Sequence, residues 1–314
     1  MKTKTILVTG GAGFIGSHLC ESLLKEGHNV ICVDDLSTAD FSHINSFHNR
    51  KNFRFIKHDI TKPFNITNKV DEIYNLACPA SPKAYQTMPI KTLFTSSIGL
   101  YNTLNIAKKH NAKILHASTS EVYGDPKVSP QDESYYGYVN PTGPRSCYDE
   151  GKRFGESLLI NYSKAFHIQA KIARIFNTYG PKMKIDDGRA IPNFIYQCLK
   201  GEDITIYGNG FQTRSFCYVS DMVNGLKKLM ASDTNADPVN LGNPKEHYSI
   251  IKVAQIIKKL TKSSSKLSYD PLPKDDPIKR RPSIDKAKKL LKWYPKVNLE
   301  KGLKQTIAWF RENI

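Results

Sequence analysis

A glycine-rich turn close to the start of the chain limits the possible folds more than any other feature. It follows a short β-rich run at residues 5–8 and precedes a helical pattern at 14–25. Its three glycines have the spacing Gly-x-x-Gly-x-x-Gly: Gly10, Gly13 and Gly16. The first allows a tight bend, the second lets backbone approach a pyrophosphate, and the third lets helix and strand pack closely. This context favours a dinucleotide-binding unit, with the pyrophosphate at the helix N-terminus, over a plain tight turn.

Strand and helix patterns alternate through the first half of the chain. Further strands are predicted at 29–33, 53–57, 72–76, 113–117 and 170–175, and helices at 90–109 and 148–165. Strands that are apolar throughout, without alternation, are typical of a parallel sheet covered on both faces. The chain is therefore predicted to be an α/β protein with a Rossmann-like doubly wound parallel sheet.

The pattern becomes looser after about residue 181, where helices are separated by short strands and Pro/Gly-rich loops. We expect residues 1–180 to form the dinucleotide-binding domain, including the helix at 148–165. Residues 181–314 are expected to form a smaller C-terminal substrate-binding lobe, interleaved with the first.

Charge, cysteine and histidine content argue against several other classes. Lys and Arg total 46 against 29 Asp and Glu, but the basic residues are scattered, which favours a solvated surface over a nucleic-acid partner. The 6 cysteines lack a CxxC or framework spacing, and the 9 histidines lack metal-binding pairs, so we expect a reducing compartment and no metal site. The first residues enter a strand and no apolar run reaches transmembrane length, so a cytoplasmic protein without a membrane partner is expected.

Acidic residues at strand ends bear on the identity of the dinucleotide. Asp34 closes the second predicted strand, where a carboxylate accepts the adenosine ribose hydroxyls and repels a 2′-phosphate. NAD is therefore favoured over NADP. Asp35 is the alternative ribose ligand, or is solvated. Asp59, after the third strand, is a candidate adenine contact and equally a helix N-cap.

Two short segments supply the candidate catalytic groups. Tyr148 and Lys152 lie one turn apart on the same helix face, and an ammonium near a phenol favours the phenolate and lowers its pKa. Thr119 and Ser120 follow a strand and are otherwise ordinary turn residues. Glu121 is either a surface turn residue or a carboxylate with a function, because a charge near a buried cofactor is costly without a partner. Together these groups predict proton and hydride removal from an alcohol.

Longer strings of sequence carry a family resemblance. The glycine motif, the Tyr148/Lys152 pair and RIFNTYGP at 174–181 resemble the extended short-chain dehydrogenase/reductase superfamily that acts on nucleotide sugars. Five further strings resemble the UDP-glucuronate decarboxylases, also called UDP-xylose synthases: ACPASP at 77–82, ASTSEVYGDP at 117–126, RSCYDEGKR at 145–153, QTRSFCYVSD at 212–221 and DDPIKRRP at 275–282. The resemblance covers essentially the whole chain.

The resemblance implies an NAD-dependent carboxy-lyase with UDP-glucuronate as substrate, tightly held NAD and UDP-xylose as product. Tyr148 would remove the C4 hydroxyl proton while the C4 hydride is transferred, with Thr119 bonded to the same oxygen. The resulting 4-keto sugar is a β-keto acid and loses carbon dioxide readily. The family places Ser120, Glu121 and Arg280 around C5 and the carboxylate. Arg280 would bind that carboxylate unless it is only a solvated charge, and Glu121 would repel it or order a water.

The resemblance also implies binding residues and a homodimer. The additional cofactor contacts are expected to be Phe14, Ile15, Ile60, Leu76, Cys78, Thr95 and Arg189. The substrate contacts are expected to be Tyr85, Asn102, Asn177, Asn193, Tyr207, Gln212, Arg214 and Arg280. Asn177 and Arg214 are assigned to the diphosphate and Tyr207 to the uracil, although Tyr207 and Asn193 are also candidates for packing between lobes.

Several other reactions begin with the same oxidation at C4. An oxidative decarboxylase would release NADH and a UDP-4-keto-pentose. A 4-epimerase has no use for Glu121 and Arg280 around C5, and a 4,6-dehydratase usually carries Asp where Ser120 stands. A sensor that binds a dinucleotide without turnover typically lacks the tyrosine or the lysine. Decarboxylation to UDP-xylose is therefore the predicted function.

Overall fold

The computed structural model describes residues 2–314, in which strands and helices alternate through most of the chain. The strands are β1 (Thr5–Thr9), β2 (Asn29–Asp34), β3 (Phe53–Lys57), β4 (Glu72–Asn75), β5 (Lys113–Thr119), β6 (Ala170–Ile175), β7 (Thr178–Tyr179), β8 (Ile204–Tyr207), β9 (Thr213–Ser215), β10 (Cys217–Tyr218), β11 (Pro238–Leu241), β12 (His247–Ser249), β13 (Leu267–Asp270) and β14 (Lys279–Arg280). The helices are α1 (Phe14–Lys25), α2 (Pro82–Thr87), α3 (Pro89–Phe94), α4 (Leu100–His110), α5 (Ser146–Phe166), α6 (Ala190–Lys200), α7 (Val219–Ala231), α8 (Ile250–Thr261), α9 (Asp285–Leu291) and α10 (Leu299–Asn313). Short 3₁₀ turns occur at Phe41–Ile44 and Ser120–Tyr123.

A seven-stranded parallel sheet forms the centre of the fold, in the order β11-β6-β5-β4-β1-β2-β3. The strand order reverses between β1 and β4, because the chain crosses the sheet after β3. In open α/β sheets, ligands bind in the crevice beyond the carboxyl ends of the strands at such a reversal. The predicted Rossmann-like fold class is confirmed. Strand β11 comes from the C-terminal part of the chain and pairs with β6, so both parts contribute to the sheet.

The sheet is buried on both faces, and its alternate side chains enter two apolar clusters. Val8 of β1 packs in the cluster that contains Leu226 of α7. Leu7, its neighbour, packs in the cluster that contains Leu104 of α4 and Leu159 of α5. Helix α5 is thereby held against the sheet, which places Tyr148 and Lys152 near the carboxyl end of β5.

The single helix predicted at 90–109 is interrupted in the structure. A π-helical turn at Thr95–Gly99 separates α3 from α4. The Thr95 and Ser97 hydroxyls donate to backbone carbonyls one turn earlier, each at 2.7 Å, a pattern that bends helices. Gly99 packs so tightly on Ile60 that an added Cβ would lie 2.8 Å from its side chain. The apolar periodicity continues through the break, so the sequence pattern does not reveal it.

Short strands in the C-terminal part bring distant residues to the same place. Strand β14 pairs in parallel with β9, which sets Arg280 opposite Arg214. Antiparallel pairing of β12 completes this three-stranded sheet. Arg280 thereby lies beside Glu121, although the two residues are separated by 159 positions in the chain.

Candidate active site

A cavity of about 1220 Å³ lies beyond the carboxyl ends of the central strands and extends between both parts of the chain. It is larger than the roughly 300–1,000 Å³ typical of a site for one small ligand, so two ligands have room in it. All but one of the predicted site residues line it. Those from the cofactor prediction are Gly10, Gly13, Phe14, Ile15, Gly16, Asp34, Asp35, Asp59, Ile60, Leu76, Cys78, Thr95, Tyr148, Lys152 and Arg189. The others are Tyr85, Thr119, Ser120, Glu121, Asn177, Asn193, Tyr207, Gln212, Arg214 and Arg280.

Asn102, a predicted substrate contact, is the exception. Asn102 belongs to α4 and is absent from the cavity wall. Its side-chain amide donates to the backbone carbonyl of Ile60 at 2.9 Å. Asn102 therefore supports the segment after β3, which itself lines the cavity.

The glycine-rich turn has the geometry that the sequence predicts for phosphate binding. Gly10 has φ +71°, and a Cβ on it would lie 2.7 Å from the backbone nitrogen of Ala77. A Cβ on Gly16 would lie 2.1 Å from the carbonyl oxygen of Gly10. Helix α1 begins at Phe14 without a side-chain cap, so its first backbone N–H groups are available for an anion.

The three acidic residues at the strand ends have different partners. Asp34 accepts the backbone N–H of Ala12 at 3.0 Å, which ties it to the glycine-rich turn, and burial raises its pKa. Asp35 forms an ion pair with Lys91. Asp59 Oδ2 lies 3.7 Å from the same Lys91 ammonium, and its other oxygen accepts the backbone N–H of Thr61. Of the two candidate ribose ligands, Asp34 is therefore the one that is bonded to the glycine-rich turn at the end of β2.

Tyr148 is buried against the ring of Tyr85. The two rings are stacked, with centroids 5.0 Å apart and planes 10° apart. Burial raises the pKa of Tyr148 well above its usual range, although a hydrogen bond from Thr119 acts in the opposite direction. The net shift of the Tyr148 pKa is therefore upward, whereas the sequence predicted a lowered pKa. The Lys152 ammonium donates to the carbonyl of Ala117 at 2.7 Å and lies 5.8 Å from the Tyr148 ring centroid.

Glu121 is held by two arginines, one of which the sequence reading did not assign. Arg280 donates to both carboxylate oxygens, with Nη2 at 2.8 Å from Oε2, and Arg145 also donates to Oε2. Burial alone would raise the pKa of Glu121, but Arg145 and then Arg280 outweigh it and lower the pKa to about 2. Glu121 is therefore a carboxylate at neutral pH, so it can order a water or repel an anion but carries no proton to donate.

The sequence did not predict three charged residues that lie around Glu121 and Arg280: Arg145, Asp149 and Asp276. Arg145 lies 3.9 Å from Asp149 and 3.5 Å from Asp276, and its guanidinium is 5.9 Å from the ring centroid of Tyr85. Burial, and then Glu121, raises the pKa of Asp149 to about 7. Arg145 stands in the quoted string at 145–153, but its spacing from Glu121 carries no signal of contact.

The far end of the cavity contains the residues predicted for the nucleotide. Arg214 donates to Asp276 at 2.9 Å and is almost fully buried. The side-chain amide of Gln212 donates to the carbonyl of Tyr207 at 2.8 Å. Tyr207 is exposed at the rim, while Asn193 lies on α6. This end thus presents a buried arginine and an exposed aromatic ring.

Several buried polar atoms of residues 2–314 have no hydrogen-bond partner, and most of these residues line the cavity. They are Tyr85 OH, His116 Nε2, Arg145 Nε, Asp149 Oδ1, Asn177 Oδ1, Thr213 Oγ1 and Arg280 Nε. Buried polar groups are normally paired, so unpaired ones around a cavity indicate contacts with a ligand. Donors and acceptors in this number suit a polyhydroxylated anion.

Nowhere in 2–314 do three His, Cys, Asp or Glu side chains come together as a metal-binding group. No helix in that range is both long and apolar enough to cross a membrane.

Comparisons with known proteins agree with this geometry. The sequence model of the family described as GDP-mannose 4,6 dehydratase matches residues 7–306. UDP-glucuronic acid decarboxylase 1 of Xenopus tropicalis is 52% identical over 311 residues, which are 99% of this chain and 73% of that protein. UDP-glucuronic acid decarboxylase 6 of Arabidopsis thaliana is 51% identical over 299 residues, which are 95% of this chain and 86% of that protein.

A solved structure with a similar fold contains both expected ligand types. It is UDP-glucuronic acid 4-epimerase from Bacillus cereus, in complex with UDP-glucuronic acid and NAD. The TM-score is 0.88 at 30% sequence identity, and the match covers 99% of this chain and 100% of that chain.

Proposed function

The chain belongs to the GDP-mannose 4,6-dehydratase family and, within it, to the UDP-glucuronic acid decarboxylases, and we propose that it converts UDP-glucuronate to UDP-xylose with NAD. One observation carries this proposal. The buried Glu121–Arg280 pair lines the same cavity as Tyr148 and Lys152. Oxidation at C4 needs only the tyrosine and lysine, whereas an arginine fork beside them suits a substrate carboxylate.

The glycine-rich turn and Asp34 fit NAD. The uncapped N-terminus of α1 and the close-packed glycines suit a pyrophosphate, and Asp34 closes β2 where the adenosine ribose would lie. Bound there, NAD supplies the acceptor for the C4 hydride and returns that hydride at the end of the cycle. The bound NAD of the Bacillus cereus epimerase supports the same assignment.

Tyr148 is the proposed base for the C4 hydroxyl. Burial raises its pKa, so the phenolate needs nearby positive charge and hydrogen-bond donors. Hydrogen bonding with the Thr119 side chain lowers the Tyr148 pKa, and the Lys152 ammonium, which donates to the carbonyl of Ala117, lies 5.8 Å from the ring centroid. Stacking on Tyr85 fixes the ring so that its hydroxyl stays in place for proton transfer.

Arg280, Glu121 and Ser120 are the proposed residues for chemistry at C5. Once C4 is a ketone, the C5–carboxylate bond breaks, carbon dioxide leaves, and the electron pair moves into the C4 carbonyl as an enolate. C5 must then take a proton. Because Glu121 has a pKa of about 2, it acts here by holding a water rather than as a carboxylic acid.

A single incubation tests the proposal and separates its rivals. The protein is mixed with UDP-glucuronate and NAD, and the sugar product is identified by NMR while NADH absorbance is followed. UDP-xylose without net NADH is expected. Net NADH with a 4-keto-pentose would indicate the oxidative decarboxylase, and UDP-galacturonate would indicate an epimerase. Unchanged UDP-glucuronate with folded, NAD-bound protein would refute the assignment.

A cytoplasmic homodimer is also proposed. Apolar side chains are exposed along one side of the molecule, on α3, the π turn, α4 and α5: Leu93, Phe94, Ile98, Tyr101 and Phe154. Exposed apolar patches of this kind mark association surfaces. Sedimentation velocity should give twice the chain mass, and Ile98→Glu should yield monomer.

The cytoplasmic location is proposed because the six free cysteines suit a reducing compartment. Cell fractionation checks this location.

A further inference from the structure

Arg145 connects Glu121 to the catalytic helix, and we propose that it is a positioning residue that keeps Glu121 in place while Arg280 leaves Glu121 for the substrate carboxylate. This inference rests on the proposed decarboxylation. It assigns different tasks to the two arginines: Arg280 is the exchangeable partner of Glu121, and Arg145 is the permanent one.

The hydrogen bonds of Arg280 favour exchange. Its two terminal nitrogens are both directed at Glu121, with one further bond of 3.4 Å to the carbonyl of Gly124. Its Nε has no partner, although Arg280 is only 2% exposed. One guanidinium edge binds one carboxylate with two parallel bonds. The other edge offers only the unpaired Nε, because Nη2 also bonds Gly124. A substrate carboxylate that binds with two parallel bonds must therefore take the edge that Glu121 holds and displace it.

Arg145 is anchored independently of Arg280. It directly precedes α5, and its carbonyl accepts the backbone N–H groups of Tyr148 and Asp149, each at 3.0 Å. Its guanidinium also faces Asp149, Asp276 and the ring of Tyr85. Arg280, in contrast, lies on the two-residue strand β14 at the end of a proline-containing loop. Loss of the Arg280 contact thus leaves Arg145 where it is.

Charge balance explains why a second arginine is required. A buried carboxylate that loses its partner is strongly destabilised unless another cation remains beside it. Arg145 bonds Oε2 of Glu121, to which Arg280 also donates, whereas Oε1 is bonded by Arg280. After exchange, Glu121 stays ionised through Arg145, and Oε1 becomes free to accept a hydrogen bond from the water that protonates C5. The hydroxide left by this transfer takes a proton from solvent.

The experiment uses the position of the solvent hydrogen at C5. UDP-xylose carries two hydrogens there, one from the substrate and one from solvent, so turnover in D2O labels one of two distinguishable positions. Wild-type protein should label a single position. Arg145→Met should bind UDP and NAD within about threefold of wild type, lower kcat on the order of 10²-fold, and distribute deuterium over both positions. Arg145→Lys, which keeps the charge, should restore much of both properties.

Arg153 provides the matched control on the same helix. It donates to the carbonyl of Val122, next to Glu121, and pairs with Glu150, but it does not contact Glu121 itself. Arg153→Met should keep wild-type kcat and single-position labelling. If Arg153→Met also distributes deuterium over both C5 positions, the effect comes from any loss of contact between the helix and the segment that contains Glu121. The specific role assigned to Arg145 would then be wrong.

Other outcomes also decide the matter. A raised KM for Arg145→Met, with unchanged kcat and single-position labelling, would make Arg145 a substrate ligand and overturn the inference. In a Glu121→Gln background, Arg145→Met should add little further loss, because both changes remove the same function. If Arg145→Met fails to fold, wild-type labelling by Glu121→Gln would overturn the inference. Wild-type protein that makes no UDP-xylose would instead refute the proposed function.

Discussion

At the residue scale, burial decides the chemistry of the charged and phenolic groups more than their sequence neighbours do. Tyr148 has Lys152 one turn away, yet its pKa is raised because the phenolate would be buried. Glu121 is also largely buried, with 15% of its side chain exposed, yet its pKa is lowered because two guanidinium groups contact it. The difference follows from which opposite charges reach each group directly.

Tyr148→Phe tests the proposed base. The ring can still stack on Tyr85, so binding of UDP-glucuronate should change less than about twofold, whereas loss of the hydroxyl should lower kcat by roughly 10²–10⁴-fold. Steady-state kinetics and UDP-glucuronate titration measure the two effects. Tyr85→Phe, which also keeps a stacked ring, provides a comparison. A fully active Tyr148→Phe protein would exclude the tyrosine as base.

Asp149 should make the folded state sensitive to pH. Its pKa is raised from 3.8 to about 7, so between these values the folded protein binds more protons at this site than the unfolded chain. Stability at this site therefore falls as pH rises through that window. Asp149→Asn should become progressively more stable than wild type between pH 4 and pH 7, with a constant difference above about pH 8.

Denaturant unfolding of both proteins at several pH values measures this effect. Glu121 has the opposite effect on stability because its pKa is lowered in the folded protein. Its ionised carboxylate stabilises the fold above pH 4.5, the usual pKa, and this stabilisation is lost as the pH falls toward 2. Its contribution changes below pH 4.5 and is common to both proteins. A difference in stability that does not vary with pH would show that Asp149 does not titrate in this window.

At the element scale, the glycine-rich turn behaves as the sequence predicts because its geometry depends on neighbours a few residues away. Gly16→Ala would place a Cβ 2.1 Å from the carbonyl oxygen of Gly10, so the turn must shift. We expect a loss of roughly 1–3 kcal/mol in unfolding free energy, as for other overpacked sites, together with at least tenfold weaker NAD binding. Thermal unfolding and NAD titration measure the two effects.

Gly13→Ala provides the control for that substitution. Its Cβ would meet only the carbonyl oxygen of Gly10, at 3.2 Å, so the fold should be nearly unaffected while a methyl group enters the phosphate site. NAD binding should weaken without a comparable loss of stability. Equal destabilisation by both substitutions would contradict the different roles of the two glycines.

The interrupted helix shows where an element depends on tertiary packing. Residues 90–109 have helical periodicity throughout, but Gly99 packs against Ile60 and the chain forms a π turn at Thr95–Gly99. The turn places Thr95 in the cavity wall. The contact partner lies about 40 residues earlier in the chain, so periodicity alone cannot indicate the break.

At the scale of the whole molecule, the cavity joins the sheet to the C-terminal part, and a ligand that contacts both should stabilise the fold. A ligand at 100 times its Kd adds about 2.7 kcal/mol if it binds only the folded state. UDP should therefore raise Tm in wild-type protein. Arg214→Gln should remove most of that shift while leaving the shift caused by NAD, because Arg214 lines the cavity as a proposed diphosphate ligand and is not among the proposed NAD contacts. An unchanged UDP shift would exclude Arg214 as a diphosphate ligand.

The features that the sequence predicts correctly are those that depend on neighbouring residues in the chain. The glycine spacing requires a turn of one shape, apolar runs require a buried parallel sheet, and a four-residue spacing places Tyr148 and Lys152 on one helix face. The long strings further indicated the decarboxylase family, which the comparisons confirm. The division into 1–180 and 181–314 stays a prediction, and strand β11 from the second part lies in the central sheet.

Which groups are in contact and how deeply they are buried depends on how the whole chain packs. In the structure, Asn102 lies outside the cavity wall and bonds the carbonyl of Ile60. Arg145 pairs with Glu121 and lies close to Asp276, and the pKa of Tyr148 is raised rather than lowered. Each result depends on a contact between residues far apart in the chain or on exclusion of water. Electrostatic interactions are set by distance in space and by the surrounding medium, neither of which a sequence pattern specifies.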